Sequence, residues 1–383
     1  MFYKTSIGRK LMNKVWINSL LLVLFSDINV VAADSPERLE VGGAVKVNYK
    51  YIDYNQESKH KGGDLVFDVT SIKFSGKNGQ WGLESDYRFT ADSHYVRYGY
   101  GYYDVSNDFQ IQFGVNQTPF GNIGVISNSY WFGLPYYLGF EDDHDVGIKS
   151  VYKGENFRTE FAFYKNAEYE ASETKRYGAD LYSGKIGGIE YFNEEVNQFN
   201  LRHTYFFDHE AGGTALGVSL QYGDIYNSQT GNMGERTAYA LHLDSHIYDW
   251  NIQLQLLEYQ YDAAEPVGSK KIAVSVVGAT FEVASKAQVY SVNIAKNVPT
   301  SWGRLKLYND FGLMTPDVDD SSYDNSMQNV TGFSAYIGSV VIMLDYIMGN
   351  NMTFSTADNN HIGLPCLGEG WDKRVNFNLA YYF

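Results

Sequence analysis

The 383-residue chain sets 30 Lys+Arg against 45 Asp+Glu, a net charge of −15. That balance excludes a nucleic-acid binder, whose phosphate contacts require a basic surface. Aromatic residues are abundant (33 Tyr, 23 Phe and 6 Trp, beside 7 Pro), and a single cysteine, Cys366, excludes an intrachain disulfide and a cysteine-based metal cluster.

At the start, Lys4, Arg9, Lys10 and Lys14 precede an apolar run, V-W-I-N-S-L-L-L-V-L-F (15–25), and a small-residue exit at V-V-A-A-D (30–34). This pattern predicts a secretory signal peptide over residues 1–33, cleaved to leave a mature domain of 34–383. The apolar run is too short for a transmembrane helix, which needs about 20 residues.

From there the chain alternates. Val41, Val45, Val47, Tyr49 and Tyr51 share one face against Glu40, Lys46, Asn48 and Lys50. In 81–90, Trp81, Leu83, Tyr87 and Phe89 oppose Glu84, Asp86 and Arg88. His94, Val96, Tyr98, Tyr100 and Tyr102 alternate against Arg97 and two glycines. Period-two alternation marks strands whose two faces see different surroundings. Further segments at 184–193, 197–207, 214–224, 235–246, 249–261, 271–282 and 286–297, and others to the end of the chain, bring the expectation to 16 strands, or 18 at most. A helical i, i+3, i+4 pattern of useful length occurs only in the signal segment.

Between the strand at 108–116 and the one resuming at V-G-I-K (146–149) lies a long connection, 117–144, with no Lys and no Arg. A loop of that length is uncommon unless functional, and Trp131, Phe132, Tyr136, Tyr137 and Phe140 argue against disorder. It leaves the strand through Pro119, Phe120 and Gly121, where proline cannot continue a ladder and glycine permits positive φ. It closes on Glu141, Asp142, Asp143, His144 and Asp145. Neither this acidic run nor 317–325 has the spacing of a calcium loop, and no metal or cofactor is expected.

A soluble sandwich would also alternate, but with many Pro-rich turns and an apolar core of its own. Charges and amides at mid-strand, aromatic outer faces and connections that alternate between short and long predict an all-β, transmembrane antiparallel barrel. The final strand places Val375, Phe377, Leu379, Tyr381 and Phe383 on one face. An apolar face ending on Phe resembles the terminal insertion signal of bacterial outer-membrane proteins and implies recognition by the barrel-assembly machinery.

The motifs F-G-V-N-Q-T-P-F-G (113–121) and Y-Y-L-G-F-E-D-D-H-D-V-G-I-K (136–149) resemble a Gram-negative porin family allied to the phosphate-selective porins O and P. L-Y-N-D-F-G (307–312), N-V-T-G-F (329–333), L-D-Y-I-M-G-N-N (344–351) and the last strand carry the same resemblance. It implies a 16-stranded barrel, usually a homotrimer in lipid and lipopolysaccharide, whose third external loop folds inward; 117–144 occupies that loop's place. The basic-free, acid-ending loop departs from what a phosphate pore would carry. On this reading Glu141–Asp145 form an acidic constriction rim, and Arg88, Arg97, Lys149, Arg158 and Arg202, inward by parity, form the facing basic wall.

The expected function is passive diffusion of small hydrophilic solutes and ions, with a mild cation preference from the net charge. A pore selective for phosphate or other anions, or for oligosaccharides stacking on the loop aromatics, is the alternative. The eight His enter no recognisable catalytic constellation, so no enzyme is expected. A barrel with a plugged lumen is the remaining rival.

Overall fold

A computed structural model describes residues 38–357, 360–366, 368 and 370–383. The signal segment at 1–33 lies outside the described residues. Sixteen antiparallel strands close into one barrel. They are β1 (Arg38–Ile52), β2 (Asp64–Asn78), β3 (Trp81–Phe89), β4 (His94–Asp104), β5 (Phe109–Gln117), β6 (His144–Lys153), β7 (Phe157–Ala167) and β8 (Asn193–His209). The circuit continues with β9 (Gly212–Asn227), β10 (Met233–Ile247), β11 (Trp250–Asp262), β12 (Lys286–Thr300), β13 (Gly303–Pro316), β14 (Ser326–Ile337), β15 (Val340–Asn350) and β16 (Asp372–Tyr382). Strand β16 pairs back onto β1 from Ala44↔Tyr382 to Ile52↔Arg374, so the sheet has no open edge.

Surface and interior are inverted relative to a water-soluble protein. Along β9, Leu216, Val218, Leu220 and Tyr222 are exposed, while Ser219 and Gln221 between them are buried. The last strand repeats this, with Phe377, Leu379, Tyr381 and Phe383 exposed and Asn376 and Asn378 buried. Water penalises exposed apolar area by about 25 cal/mol per Å²; a hydrocarbon solvent removes that penalty, and the closed ladder satisfies the backbone without water. Trp81, Tyr248, Trp250 and Trp302 sit exposed beside the short turns, as an interfacial aromatic belt requires.

Two alternating segments are not wall strands. Residues 184–193 hold a small hairpin, Gly184–Ile186 with Ile189–Tyr191. Residues 271–282 belong to a second sheet made of Lys271–Val276, Ala279–Ala284, Asp180–Leu181 and His361–Ile362. Ile272 through Val276 are buried on both faces, so alternation there reports packing between connections and not a lipid boundary. With both removed, 18 strands become 16. One end carries short turns at 79–80, 105–108, 154–156, 210–211, 248–249, 301–302 and 338–339; the opposite end carries 53–63, 90–93, 118–143, 168–192, 228–232, 263–285, 317–325 and 351–371, all but 90–93 longer than any turn of the first end.

In β4 the parity changes part-way. A bulge lies opposite Asp86/Tyr87, so that Asp86 pairs with Tyr98 and Tyr87 with Val96, leaving Arg97 as the extra residue. Tyr98, Tyr100 and Tyr102 therefore share the face of Asp86 and Glu84, on the opposite side from the one simple alternation predicts. The apolar core joins connections to inward residues of the wall, among them Ile225, Leu257, Tyr259 and Val289. It gathers at the long-connection end, where Phe120, Leu134, Tyr136, Tyr137, Leu138 and Phe140 pack with Tyr177, Leu181, Ile272, Val274, Phe281 and Met352.

Candidate pore constriction

The connection between β5 and β6 spans 118–143 and contains one 3₁₀ turn, Leu134–Leu138. Gly121 takes φ +60°, and its backbone is held on both sides: its N–H donates to Ser219 Oγ at 3.0 Å, and its carbonyl accepts from Arg202 Nε at 2.7 Å. Phe120 is buried, and an added Cβ at Gly121 would run into the Gln255 amide. The Pro119-Phe120-Gly121 turn thus fastens the chain as well as bending it.

The segment that follows bonds five neighbouring strands of the barrel. Asn122 N–H donates to Gln255 Oε1 on β11 at 2.9 Å. Asn293 of β12 donates to the Ile126 carbonyl at 2.9 Å. Asp310 of β13 accepts from Asn128 Nδ2 and Ser129 N–H at 2.9 and 2.8 Å. Gln328 of β14 accepts from Trp131 Nε1 at 2.9 Å and donates to the Phe132 carbonyl at 2.7 Å. Asp345 of β15 accepts from Tyr130 N–H at 3.1 Å, and the Tyr130 hydroxyl reaches Asp68 of β2. All five anchors from Gln255 to Asp345 are buried polar side chains.

The acidic run separates once folded. Glu141 turns back and accepts from Ile126 and Ser127 N–H at 3.0 and 3.3 Å. Burial pushes its carboxyl up to about 8 despite those bonds. Asp142 contacts the Arg97 guanidinium and accepts from the Tyr177 hydroxyl at 2.5 Å. Burial opposes its ionised form, but Arg97, His144 and the Tyr177 hydroxyl together outweigh burial and hold it below the usual range. Asp143 is pushed well up by burial and by neighbouring carboxylates, Asp145 first. His144 lies against the Tyr98 ring, centroids 5.9 Å apart. All five residues are at most 5% exposed, so none offers an open rim.

The predicted basic residues resolve into two groups. Arg88 and Arg97 both lie near Asp86, at 3.2 and 3.6 Å, and both cover the Tyr177 ring, at 4.7 and 5.0 Å from its centroid. Arg158 and Arg202 share Glu160, at 2.6 and 2.9 Å, and Lys149 Nζ donates to the Gln117 carbonyl at 2.6 Å. Solvent access is uneven: the side chains of Asp86, Asp142 and Glu160 are 0–1% exposed, those of Arg88 and Arg97 are 16% and that of Arg158 is 34%. Lys73 is exposed as well. Sequence parity finds the bases but misses Tyr177, Asp345 and the pairing of Glu160. Their only signal is a polar or aromatic residue in a strand or connection, which carries no information about its partner.

With this geometry in place, the chain can be set beside known proteins. No family model and no curated protein sequence matches it. Solved structures do. OmpT, an outer membrane protein of Vibrio cholerae in its trimer form, aligns with TM-score 0.59 and 12% identity over 90% of this chain and 99% of that one. Salmonella typhi OmpF, in complex with daunomycin, aligns with TM-score 0.61 and 12% identity over 90% and 97%. An anion-selective porin from Comamonas acidovorans gives 0.54 and 12% over 90% and 99%. The likeness is one of fold.

Proposed function

We propose that the chain is exported to a Gram-negative outer membrane and forms a water-filled channel there, through which small hydrophilic solutes and ions diffuse passively. The connection 118–143 lies inside the barrel as its constriction. The observation that carries this reading is the run of hydrogen bonds from residues 121–132 to the buried polar faces of β9 and β11 to β15. A loop bonded to the faces turned away from lipid narrows the lumen and leaves it polar. The fold shared with a trimeric outer membrane protein supports a homotrimer.

On this reading the constriction favours anions, phosphate among them, opposite to what the net charge suggests. Its acids are shut away from solvent, Asp86, Asp142 and Glu160 against guanidiniums, while Arg158, Arg88, Arg97 and Lys73 keep contact with solvent. An oligosaccharide slide finds less support, because Tyr136, Tyr137 and Phe140 are packed into the core. No catalytic role is proposed. Planar-bilayer recording tests the reading: discrete conductance steps are expected, with a reversal potential of anion-selective sign in a KCl gradient. A folded barrel that gives no steps overturns the channel, and a cation-selective potential overturns the preference.

A further inference from the structure

Four carboxylates with no part in the channel reading converge where the returning loop meets the connection 168–192. Asp143 is the last residue of the loop and Asp145 the second residue of β6; Glu168 follows β7, and Asp180 opens the short strand Asp180–Leu181. One oxygen each from Asp143, Asp145 and Asp180 lie within 4.8 Å of one another, and all three residues are buried.

In each of these aspartates Oδ2 is engaged. Asp143 Oδ2 and Asp145 Oδ2 accept from Thr118 Oγ1 at 3.4 and 3.5 Å, Asp145 Oδ2 also from Gln198 Nε2 at 3.2 Å, and Asp180 Oδ2 from Arg176 at 2.8 Å. Oδ1 of each aspartate has no hydrogen-bond partner and no solvent contact. Glu168, outside that triad, is in the same condition at both of its oxygens. Glu168 Oε1 and Asp143 Oδ1 border the same space beside Gly178, where an added Cβ would stand 2.5 Å from Asp143 Oδ1 and 3.7 Å from Glu168 Oε1. Among the described residues, Arg176 is the guanidinium in direct contact with the group; Arg236 is engaged by Glu195.

Carboxylate oxygens buried without a partner are strongly unfavourable unless a cation or a proton joins them. The donor set is all oxygen and all hard, which excludes soft metals. Ca²⁺ takes six to eight oxygens in flexible geometry, whereas Mg²⁺ keeps several of its waters and is seldom held by an all-protein cage. Carboxylates buried together away from solvent therefore suit calcium.

We propose that Asp143, Asp145, Glu168 and Asp180 form a calcium site that staples the constriction loop to the 168–192 connection. The ion joins two segments otherwise linked by Tyr177, whose hydroxyl reaches Asp142 and whose carbonyl accepts from Tyr136. The site does not depend on the channel reading, because binding is measured on folded barrel in detergent without any conductance.

The test uses chain refolded in detergent free of lipopolysaccharide and stripped with EDTA, with the folded form verified by its heat-modifiable mobility. Calcium alone is added and followed by calorimetry, with Tb³⁺ luminescence as a second probe. One Ca²⁺ per chain is expected, weakened about tenfold or more in Glu168→Gln and in Asp180→Asn. No binding by folded wild-type chain at millimolar calcium overturns the site and leaves the carboxylates sharing protons. Unchanged affinity in folded Glu168→Gln also overturns it, placing the ion elsewhere. Should Asp180→Asn not fold, the wild-type stoichiometry and Glu168→Gln decide alone.

Discussion

On the side of β3, β4, β7 and β8 the barrel carries ions; on the side of β11 to β15 it offers amides and carboxylates that bond the loop's backbone. The first wall sets Arg88, Arg97, Arg158 and Arg202 around Asp86, Asp142 and Glu160. The second holds residues 122–132 through Gln255, Asn293, Asp310, Gln328 and Asp345. Both are polar; the first gathers four guanidiniums, whereas the second has the half-buried Lys306 beside its carboxylates and amides. On the proposed channel reading, the second wall fixes where the loop lies and the first governs which ions pass it.

The comparison breaks most severely at Glu160, which lies between two guanidiniums at 1% side-chain exposure. Glu160→Ala leaves Arg202 buried without its counter-ion, and removing one partner of such a pair costs about 3–5 kcal/mol. Urea unfolding of the reconstituted barrel should show that loss, while Glu160→Gln recovers part of it. Next comes the opposite wall. Asp310→Ala removes the acceptor for Asn128 and Ser129, two hydrogen bonds with a joint loss of about 1–3 kcal/mol. Its expected signature is raised open-channel noise and a larger mean conductance, with ion preference unchanged. A shifted reversal potential in that variant would show that the two walls do not divide their tasks.

Which parts of this were readable in advance follows from what parity can and cannot report. The faces of β16, and of β11 as far as Leu256, are plain in the sequence because one side meets lipid there; beyond Leu256 the apolar residues Leu257, Tyr259 and Tyr261 of β11 turn inward instead. Parity fails at Arg97, where one bulged residue turns Tyr98 and Tyr100 inward. It also fails in 271–282, where a loop sheet buried on both faces imitates a wall strand. The acidic run shows a different limit. Five residues adjacent in sequence suggest one charged edge, but Asp142 takes φ 52° and its neighbours turn to separate partners. Glu141 serves the loop's own backbone, Asp142 the wall, and Asp143 and Asp145 a pocket completed by residues from 168–180. Adjacency in sequence gives charge; only the fold assigns each charge a partner.

A smaller effect sharpens the role of the ionic wall. Arg158 is its most exposed guanidinium, at 34%. A unit charge about 15 Å from a passing ion acts with about 1 kcal/mol at an effective dielectric of 20, before screening. Arg158→Glu should therefore lower the anion-to-cation permeability ratio about threefold to tenfold, and Arg158→Gln less, at unchanged conductance noise. A ratio that moves equally in both variants would point to size and not to charge.

Salt makes the gentlest test and the most discriminating one. At 0.1 M the Debye length is about 10 Å, so a wall guanidinium acts across much of a narrow lumen; at 1 M it is about 3 Å and acts only on ions in contact. If the preference arises from Arg158, Arg88, Arg97 and Lys73, reversal potentials measured at a fixed tenfold gradient should drift toward zero as the mean KCl concentration rises. Buried pairs are screened much less, so a preference that persists at 1 M would assign selectivity to the Arg97–Asp142 contact, where wall and loop meet directly.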